Sequence, residues 1–424
     1  MQKLEVLEYF LMFFIAGGFL AQSFVEGLDP VEVTFDLFFV AGQIVTLNAV
    51  YITIGLTLFF VLTTVLLSTE VYSRKEIPWI DSGPDVAALV PVYQDAEVLE
   101  KAVESLNKSD YRDLEIYVVC EPGDDVTVEK AEGLDCRVLM NSRPGSKAEA
   151  INTAVERVDA DYYAIFDADE IINPEFIPEG VGYMEQGFEA FQGRRIPITG
   201  GLSENFAYCE RALYHAMYEL MELTGFCFVK SSSTIVTEEL LEKVGGYEDV
   251  ITEDTDFTYK CNHADVKVKS DRRVTNRMES PHSFRDFWGQ RKRWSMGFIQ
   301  LMHKSLIGEY ASNKSFQGAR GTLRAITGVF GPVLFIAFFA KLVLLFILGA
   351  EMIFLTSITV VALPALILSF KDRKEVDFIH FYSLLSFFTG LAMAFMRIKS
   401  LFEYILSWDG EWFRIQKEGD LRPQ

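Results

Sequence analysis

A chain of 424 residues that is 50% hydrophobic and carries 36 phenylalanines is too apolar for an ordinary soluble enzyme, and its length allows about two or three domain-sized units. Its net charge of -21 argues against nucleic acid as a partner, because counterion release needs basic patches. The five cysteines, Cys120, Cys136, Cys209, Cys227 and Cys261, are odd in number and form no C-x-x-C pair, which argues against a disulfide scaffold and for a reduced, cytosolic central region.

Residues 9–25 form an uncharged apolar stretch just long enough to cross a bilayer. Glu5 and Glu8 before it are wrong for the positive start of a signal peptide, so it reads as a retained span. The charge-free run 37–69 exceeds the ~20 residues of a straight span, which predicts a tilted helix or an interfacial lead-in. Arg74 and Lys75 follow at once and put the next domain on the cytoplasmic side.

From Asp85 the pattern changes. Val86–Val92 reads as a short strand, followed by a helix with Val98, Leu99, Ala102, Val103 and Leu106 on one face. A strand over 114–119, a turn at Pro122-Gly123-Asp124, a helical stretch and a strand over 136–140 come next. A helix over roughly 147–158 and a strand Tyr162–Phe166 then run into Asp167. Alternation with short links predicts an α/β domain built on a mostly parallel sheet with helices on both faces. In such sheets ligands sit at the carboxyl ends of strands, so Tyr93-Gln94-Asp95, Glu121–Asp124 and Asp167–Asp169 converge on one rim.

The stretch 200–300 holds an aromatic-rich helix over 206–223, a β-like segment Phe226–Ile235 and a Gly245-Gly246-Tyr247 turn. Residues 283–307 predict an amphipathic helix able to lie at a membrane surface. Apolar stretches 325–350, 352–370 and 378–396 follow, with Lys371-Asp372-Arg373-Lys374 before the last. The chain divides into N-terminal transmembrane helices (1–75), a cytoplasmic α/β domain (84–282), interface helices (283–320) and C-terminal transmembrane helices with a tail (321–424). A multi-pass protein of the cell membrane is expected. Five spans would put the termini on opposite sides, yet Arg397, Lys399, Arg414 and Lys417 prefer the cytoplasm. Either the last stretch does not cross, or the first is absent or reversed.

Three motifs carry chemistry. Asp167 and Asp169 sit two apart after a strand, so both carboxylates can reach one site. Mg²⁺ or Mn²⁺ binds through one or two carboxylates plus phosphate oxygens, which suits a nucleoside diphosphate. Asp254, in Thr252-Glu253-Asp254, can remove a proton from an incoming hydroxyl, with Asp256 as the runner-up. Thr252 is also a good N-cap and the acids favour a helix start. Gln290, Arg293 and Trp294 are spaced to share a helix face, where Arg can grip phosphate oxygens and Trp a sugar ring. A basic helix anchored at a membrane interface would have the same composition. Lys147 opens a helix after Pro144-Gly145-Ser146, where an anion is favoured. His282 is read as structural, with a metal or phosphate contact as the competing role, and Lys341 as snorkelling to the interface.

Taken in this order, the motifs resemble the membrane-embedded family 2 glycosyltransferases, the branch of cellulose, chitin and hyaluronan synthases, poly-N-acetylglucosamine synthase and ceramide glucosyltransferase. The resemblance covers about residues 85–300. It rests on Val90-Pro91-Val92-Tyr93 with Glu97, Ser146-Lys147-Ala148 with Asn152, Phe166-Asp167-Ala168-Asp169, Gly245-Gly246-Tyr247, Thr252-Glu253-Asp254 and Gln290-Arg291-Lys292-Arg293-Trp294. It implies a GT-A domain and an inverting transfer from a nucleoside diphosphate sugar, most often UDP-linked, to a lipid or growing polysaccharide. By resemblance Asp254 is the base, and Asp167 and Asp169 hold the donor and a Mn²⁺ or Mg²⁺ ion. Pro91, Tyr93, Glu97 and Lys147 fall near the nucleoside, and Glu253, Gln290, Arg293 and Trp294 near the diphosphate and acceptor. The family's acidic turn after the second strand is replaced by Cys120-Glu121-Pro122-Gly123-Asp124, so Glu121 or Asp124 would meet the donor base. The alternative is a non-catalytic, membrane-tethered protein that binds nucleotide sugar on the same scaffold.

Overall fold

A computed structural model of the chain describes residues 31–37, 40–46, 49–310, 315–347, 351–376 and 382–406. The stretch 9–25, Arg414 and Lys417 lie outside them. Strands β1 (Val31–Leu37) and β2 (Val40–Thr46) pair antiparallel, and helix α1 follows over Ala49–Val71. The charge-free run from residue 37 is therefore not one helix. Its first part contains Gly42, Gln43, Ile44, Val45 and Thr46, in which glycine and β-branched residues disfavour helix.

The central unit follows in chain order. β3 (Val86–Val92), α2 (Ala96–Leu106), β4 (Leu114–Cys120) and α3 (Asp125–Glu132) come first. Then come β5 (Arg137–Met140), α4 (Lys147–Val155), β6 (Tyr162–Ile165), β7 (Glu170–Ile171), α5 (Phe176–Met184) and β8 (Ala190–Pro197). After α6 (Leu202–Leu223) come β9 (Thr234–Thr237), α7 (Glu238–Val244), α8 (Glu253–His263) and β10 (Val268–Met278). The strands form an eight-stranded sheet in the order β5-β4-β3-β6-β9-β8-β10-β7. β5, β4, β3 and β6 are mutually parallel, β9 runs opposite to β6 and β8, and β10 is parallel to β8 but antiparallel to β7.

The first four strands and the helices around them match the sequence pattern closely. The second half does not. Most of the β-like segment Phe226–Ile235 is irregular, and only Thr234–Thr237 pairs. Phe226 and Phe228 instead pack with Tyr259, Leu301 and Tyr310. β8 and β10 escape the pattern because polar residues, Arg194 and Arg195 in one and Asp271–Arg273 in the other, break their apolar runs.

β3 is buried along its whole length, with alternate side chains serving two cores. Val86, Ala88, Val90 and Val92 meet Leu99 and Val103 of α2 and Ile177 and Val181 of α5. Ala87 and Leu89 meet Ile151 of α4, Leu240 of α7 and Phe257 of α8. Full burial of a side chain such as Leu99 stabilises the fold by about 1.5–3 kcal/mol.

Helix α9 (Phe284–Leu306) leads to three further helices, α10 (Ser315–Ile347), α11 (Glu351–Lys371) and α12 (Leu385–Ile405). α11 and α12 are long and apolar enough to cross a membrane. α1, α10 and α11 each have one end against the sheet unit. Arg272 on β10 binds Glu70 of α1 at 2.7 Å, Arg324 of α10 donates to the Thr224 carbonyl at 2.7 Å, and Arg194 of β8 forks onto Asp372 at 2.6 and 2.7 Å. Asp372, within the charged run Lys371–Lys374, is thus a buried strut. α12 differs: its start joins the cluster of Ile196, Tyr208 and Cys209, and its end binds Lys292 of α9 through Glu403 at 3.0 Å. Both ends lie on the sheet side. Arg397, expected after the last span, sits inside α12 with its guanidinium 4.5 Å from the Phe298 ring centroid. Lys341 lies within α10.

Candidate active site

All six co-directional strands end on one rim, and β9 begins there. The rim therefore gathers Tyr93 after β3, Glu121 after β4, Asn141–Lys147 after β5, Asp167 after β6, Arg195 near the end of β8 and Glu279–His282 after β10. Ser231 and Ser233 precede β9 at the same place.

Asp167 is the hub. Lys147 Nζ donates to one carboxylate oxygen, and Arg195 Nη1 lies 2.6 Å from the other. Lys147 also donates to the Ser231 carbonyl at 2.6 Å, and Ser231 Oγ donates to Glu253 Oε1 at 2.9 Å. Burial alone would push the Lys147 ammonium down, but Asp167 and then Glu253 hold it above its ordinary range. Burial likewise opposes the charge on Arg195, and Glu170 and Asp167, with Asp169 and Asp254, restore it. Glu170 is fully buried, and burial lifts its carboxyl to about 7 despite Arg195. Burial and Asp254 raise Glu253. Arg195 is the residue that the sequence pattern missed. Two adjacent arginines in an acidic chain were the available signal, since a buried sheet holds charge only where an opposite charge meets it.

Asp254 is half-buried in the first turn of α8. Thr252 occupies the N-cap position, but its hydroxyl makes no capping bond, contrary to the sequence expectation. It is pressed against Gly297 of α9 instead, where any added Cβ would overlap it. Ile251 N donates to Gln300 Oε1 at 3.2 Å, a second tie between the two helices. Asp256 is fully buried and held by Lys304 at 2.9 Å, Lys260 at 3.5 Å and Tyr310. It is structural and faces no open space, which removes it as a base. Behind this turn, Asn152 bonds both the Tyr247 carbonyl (2.7 Å) and its N–H (3.0 Å), fixing the Gly245-Gly246 turn, whose φ angles of 76° and 66° suit glycine.

The Gln290–Trp294 segment sits on α9. Arg291 is 1% exposed, paired with Glu210 of α6 (2.6 Å from Nε) and packed against the rings of Phe287 and Trp294 at 4.3 and 4.5 Å. Gln290 accepts a hydrogen bond from Arg291. Arg293 lies within electrostatic reach of the acids at the rim. Burial lowers its affinity for its proton, and the carboxylates of Glu253, Asp254 and Asp167 oppose that. Segments 167, 253–254 and 293 therefore meet in one place.

The predicted nucleoside residues are split. Pro91 is buried in β3, Tyr93 is exposed beside its end, and Glu97 is exposed in the first turn of α2. Glu121 and Asp124 brace loops: Glu121 accepts from Asn141 (2.6 Å) and Gly145 N (3.0 Å), and Asp124 from Gln94 N (2.5 Å) and Thr127 N (3.4 Å). Gln94 itself has a φ of 54°, a strained conformation at the rim.

Asp169 is half-buried, and its carbonyl accepts from Glu279 N at 3.2 Å. His282 nearby bridges Glu279 at 2.7 Å and Glu204 at 3.1 Å. Among the described residues no three His, Cys, Asp or Glu side chains are grouped to hold a metal by themselves. A Mg²⁺-like ion does not need such a cage, because it takes one or two carboxylates and completes its shell with phosphate and water. Asp169 fits that demand better than Asp167, whose oxygens already face two cations. The five cysteines are free, and Cys120 is buried packing.

Residues 84–297 match the family described as "Glycosyltransferase like family 2", and residues 204–421 match "Glycosyl transferase family 21". The poly-beta-1,6-N-acetyl-D-glucosamine synthase of Staphylococcus epidermidis is 22% identical over 236 residues, 51% of this chain and 55% of that protein. The protein of the same name from Staphylococcus aureus (strain COL) is 21% identical over 252 residues, 54% of this chain and 59% of that one. The chain thus spans about half the length of the curated relatives it matches. A mannosyltransferase from Pyrobaculum calidifontis, solved with GDP-Man and Mn²⁺, is similar in fold, with a TM-score of 0.50 and 18% identity over 84% of this chain and 99% of that one.

Proposed function

Because the chain belongs to the glycosyltransferase-like family 2 and carries a GT-A fold, we propose that it moves a sugar from a nucleoside diphosphate sugar to a hydroxyl of a lipid or growing polysaccharide. The observation that carries this reading is the meeting of Asp167, Glu253, Asp254 and Arg293, drawn from three separate segments, around one rim of the sheet.

Lys147 and Arg195 orient Asp167 toward the donor ribose and diphosphate. Tyr93, exposed at the β3 end, offers a ring face to the nucleobase, with Glu97, Glu121 and Asp124 shaping the loops around it. Asp254 takes the proton of the acceptor hydroxyl as its oxygen attacks the anomeric carbon. The bond to the diphosphate breaks on the opposite face, so configuration inverts. Arg293 stands where negative charge builds on the departing diphosphate, and Trp294 offers its ring to the acceptor. Mn²⁺ or Mg²⁺ at Asp169 would add neutralising charge to the diphosphate.

The apolar helices set the acceptor's side. With one end of α1, α10 and α11 at the sheet unit, these helices cross the membrane and keep the active site at its cytoplasmic face. α12, touching that unit at both ends, lies along the interface. A polysaccharide acceptor is supported by the named synthase relatives, and a lipid acceptor by the family 21 match.

The test is Asp254→Asn in the purified chain with UDP-sugars and GDP-sugars and Mn²⁺ or Mg²⁺. Transfer and donor hydrolysis should fall by about 10²–10⁴, with nucleotide binding kept. Nucleotide binding without any turnover in the unmodified chain would favour the non-catalytic binding protein.

A further inference from the structure

Next to the carboxylate rim, a polar cavity lies between β8, β10 and α6. Arg195, Arg211, His215, Tyr218 and Lys230 line it, together with Glu222 and Arg272. Its charges divide into two sets. Arg195 is matched by Asp167 at 2.6 Å and Glu170 at 3.6 Å. Arg272 is matched by Glu70, Glu219 and Glu222 at 2.7, 2.7 and 2.5 Å. Arg211 and Lys230 have no such match.

Among the described residues neither Arg211 nor Lys230 makes an ion pair or a side-chain hydrogen bond. Each rests on a ring: the Arg211 guanidinium is 5.5 Å from the Trp294 centroid, and Lys230 Nζ is 5.2 Å from that of Tyr218. Arg211 is only 8% exposed, and it lines the cavity. His215 beside it is also 8% exposed, and its Nδ1 has no hydrogen-bond partner among the described residues. Three basic side chains from two segments thus surround a space in which no carboxylate touches them, Glu210 and Asp254 acting on Arg211 and Lys230 only from beyond ion-pair distance. Buried cations without a counter-charge are costly. Burial, then Arg195, then Arg211 push Lys230 down to about 7, and burial, then Arg195, then Arg291 push Arg211 down to about 9. A group that arrives with a negative charge would remove that cost.

We propose that this cavity is a subsite for one anionic group, a carboxylate or a phosphate, carried by the acceptor. The assignment to the acceptor follows from the neighbours. Arg211 lies on the ring of Trp294, and Lys230 feels the carboxylate of Asp254. An acceptor whose hydroxyl meets Asp254 would place an acidic substituent against Arg211 and Lys230. The substrate class is therefore an acidic sugar, such as a hexuronate, or a phosphorylated lipid or glycan. This rests on the reading of Asp254 and Trp294 as the acceptor side.

Titration calorimetry on the full chain in detergent, with methyl β-D-glucuronide, methyl phosphate and methyl β-D-glucoside, tests it. At least one anionic probe should bind at least tenfold more tightly than the neutral glucoside. Preference for the glucuronide assigns a sugar acid, and preference for methyl phosphate a phosphorylated acceptor. Arg211→Met and Lys230→Met should each weaken the preferred anion at least tenfold, and Arg211→Lys should keep most of its affinity. UDP titrated into the same samples reports whether each variant is folded. If Arg211→Met fails that check, Lys230→Met carries the comparison. Binding of both anions no tighter than that of the neutral glucoside, or anion binding that survives Lys230→Met, overturns the subsite. UDP binding with no anion binding sinks the subsite alone, whereas anion binding without UDP binding or donor turnover sinks the transferase reading.

Discussion

Arg195 Nη1 lies 2.6 Å from Asp167, while its neighbour Arg194 points through the other face of β8 to grip Asp372. One strand thereby joins the carboxylate rim to the end of an apolar helix, because successive strand residues face opposite ways. Arg195→Met would leave Asp167 and buried Glu170 without their shared cation. It should destabilise the chain by about 3–5 kcal/mol and weaken UDP binding. Urea unfolding and nucleotide titration measure the two effects, and Arg195→Lys, which lacks the fork, should restore the first only partly.

Gly297 permits α9 to touch Thr252, two residues before Asp254. Gly297→Ala forces the Thr252 loop to move, since the added methyl overlaps its side chain. The expected outcome is a folded protein whose kcat drops at least tenfold with nucleotide affinity little changed. Steady-state kinetics beside nucleotide titration would show whether KM for the donor stays put.

Arg291 and Glu210 form a buried pair, and the guanidinium also backs the Trp294 ring. Glu210→Gln leaves a buried cation short of its counter-charge and should cost about 3 kcal/mol or more. The accompanying change in Trp294 packing should appear in the tryptophan fluorescence of the folded variant.

Asp254 and Asp256 are two residues apart yet should respond oppositely. Asp256→Asn breaks the contacts to Lys304, Lys260 and Tyr310, so melting temperature should fall by several degrees while turnover per folded molecule stays within about threefold. Asp254→Asn should do the reverse. Equal loss of turnover in both would remove the distinction.

Lys230 gives a pH prediction. Its native pKa, about 7, is below the ordinary lysine value of 10.5, chiefly through burial and then Arg195. Between those two values the unfolded chain binds more protons than the native one, so this group makes stability rise with pH from about 7 to 10.5. Below about 7 the full cost of burying the charge remains. Without ligand, Lys230→Met should therefore raise the melting temperature most near pH 6, with the gain shrinking toward pH 10. A gain independent of pH would show that lost packing, not charge, is responsible.

Much of the site can be read directly from residue order. The alternation from Val86 to Ile165 is legible because each strand is apolar and each helix repeats its apolar face every three to four residues. Asp167, Asp169, Asp254 and Trp294 stand out because their chemistry and order are unusual together. Arg195, Ser231, Glu210 and the Arg211–Lys230 pair do not stand out. Each is a common residue type in an irregular or polar-interrupted segment, and its role depends on which charge folding brings beside it. The same holds for Asp372 and Arg397, which look like membrane flanks by composition and prove to be buried struts.

Local patterning in this chain dictates the strands, the helices and the types of chemical group at their ends, since those depend on residues a few positions apart. Which acid faces which base depends on contacts such as Arg195 with Asp167, 28 positions apart, and Arg194 with Asp372, 178 apart. Electrostatic energy falls with distance in space and takes no account of distance along the chain, so only the packed structure could pair them.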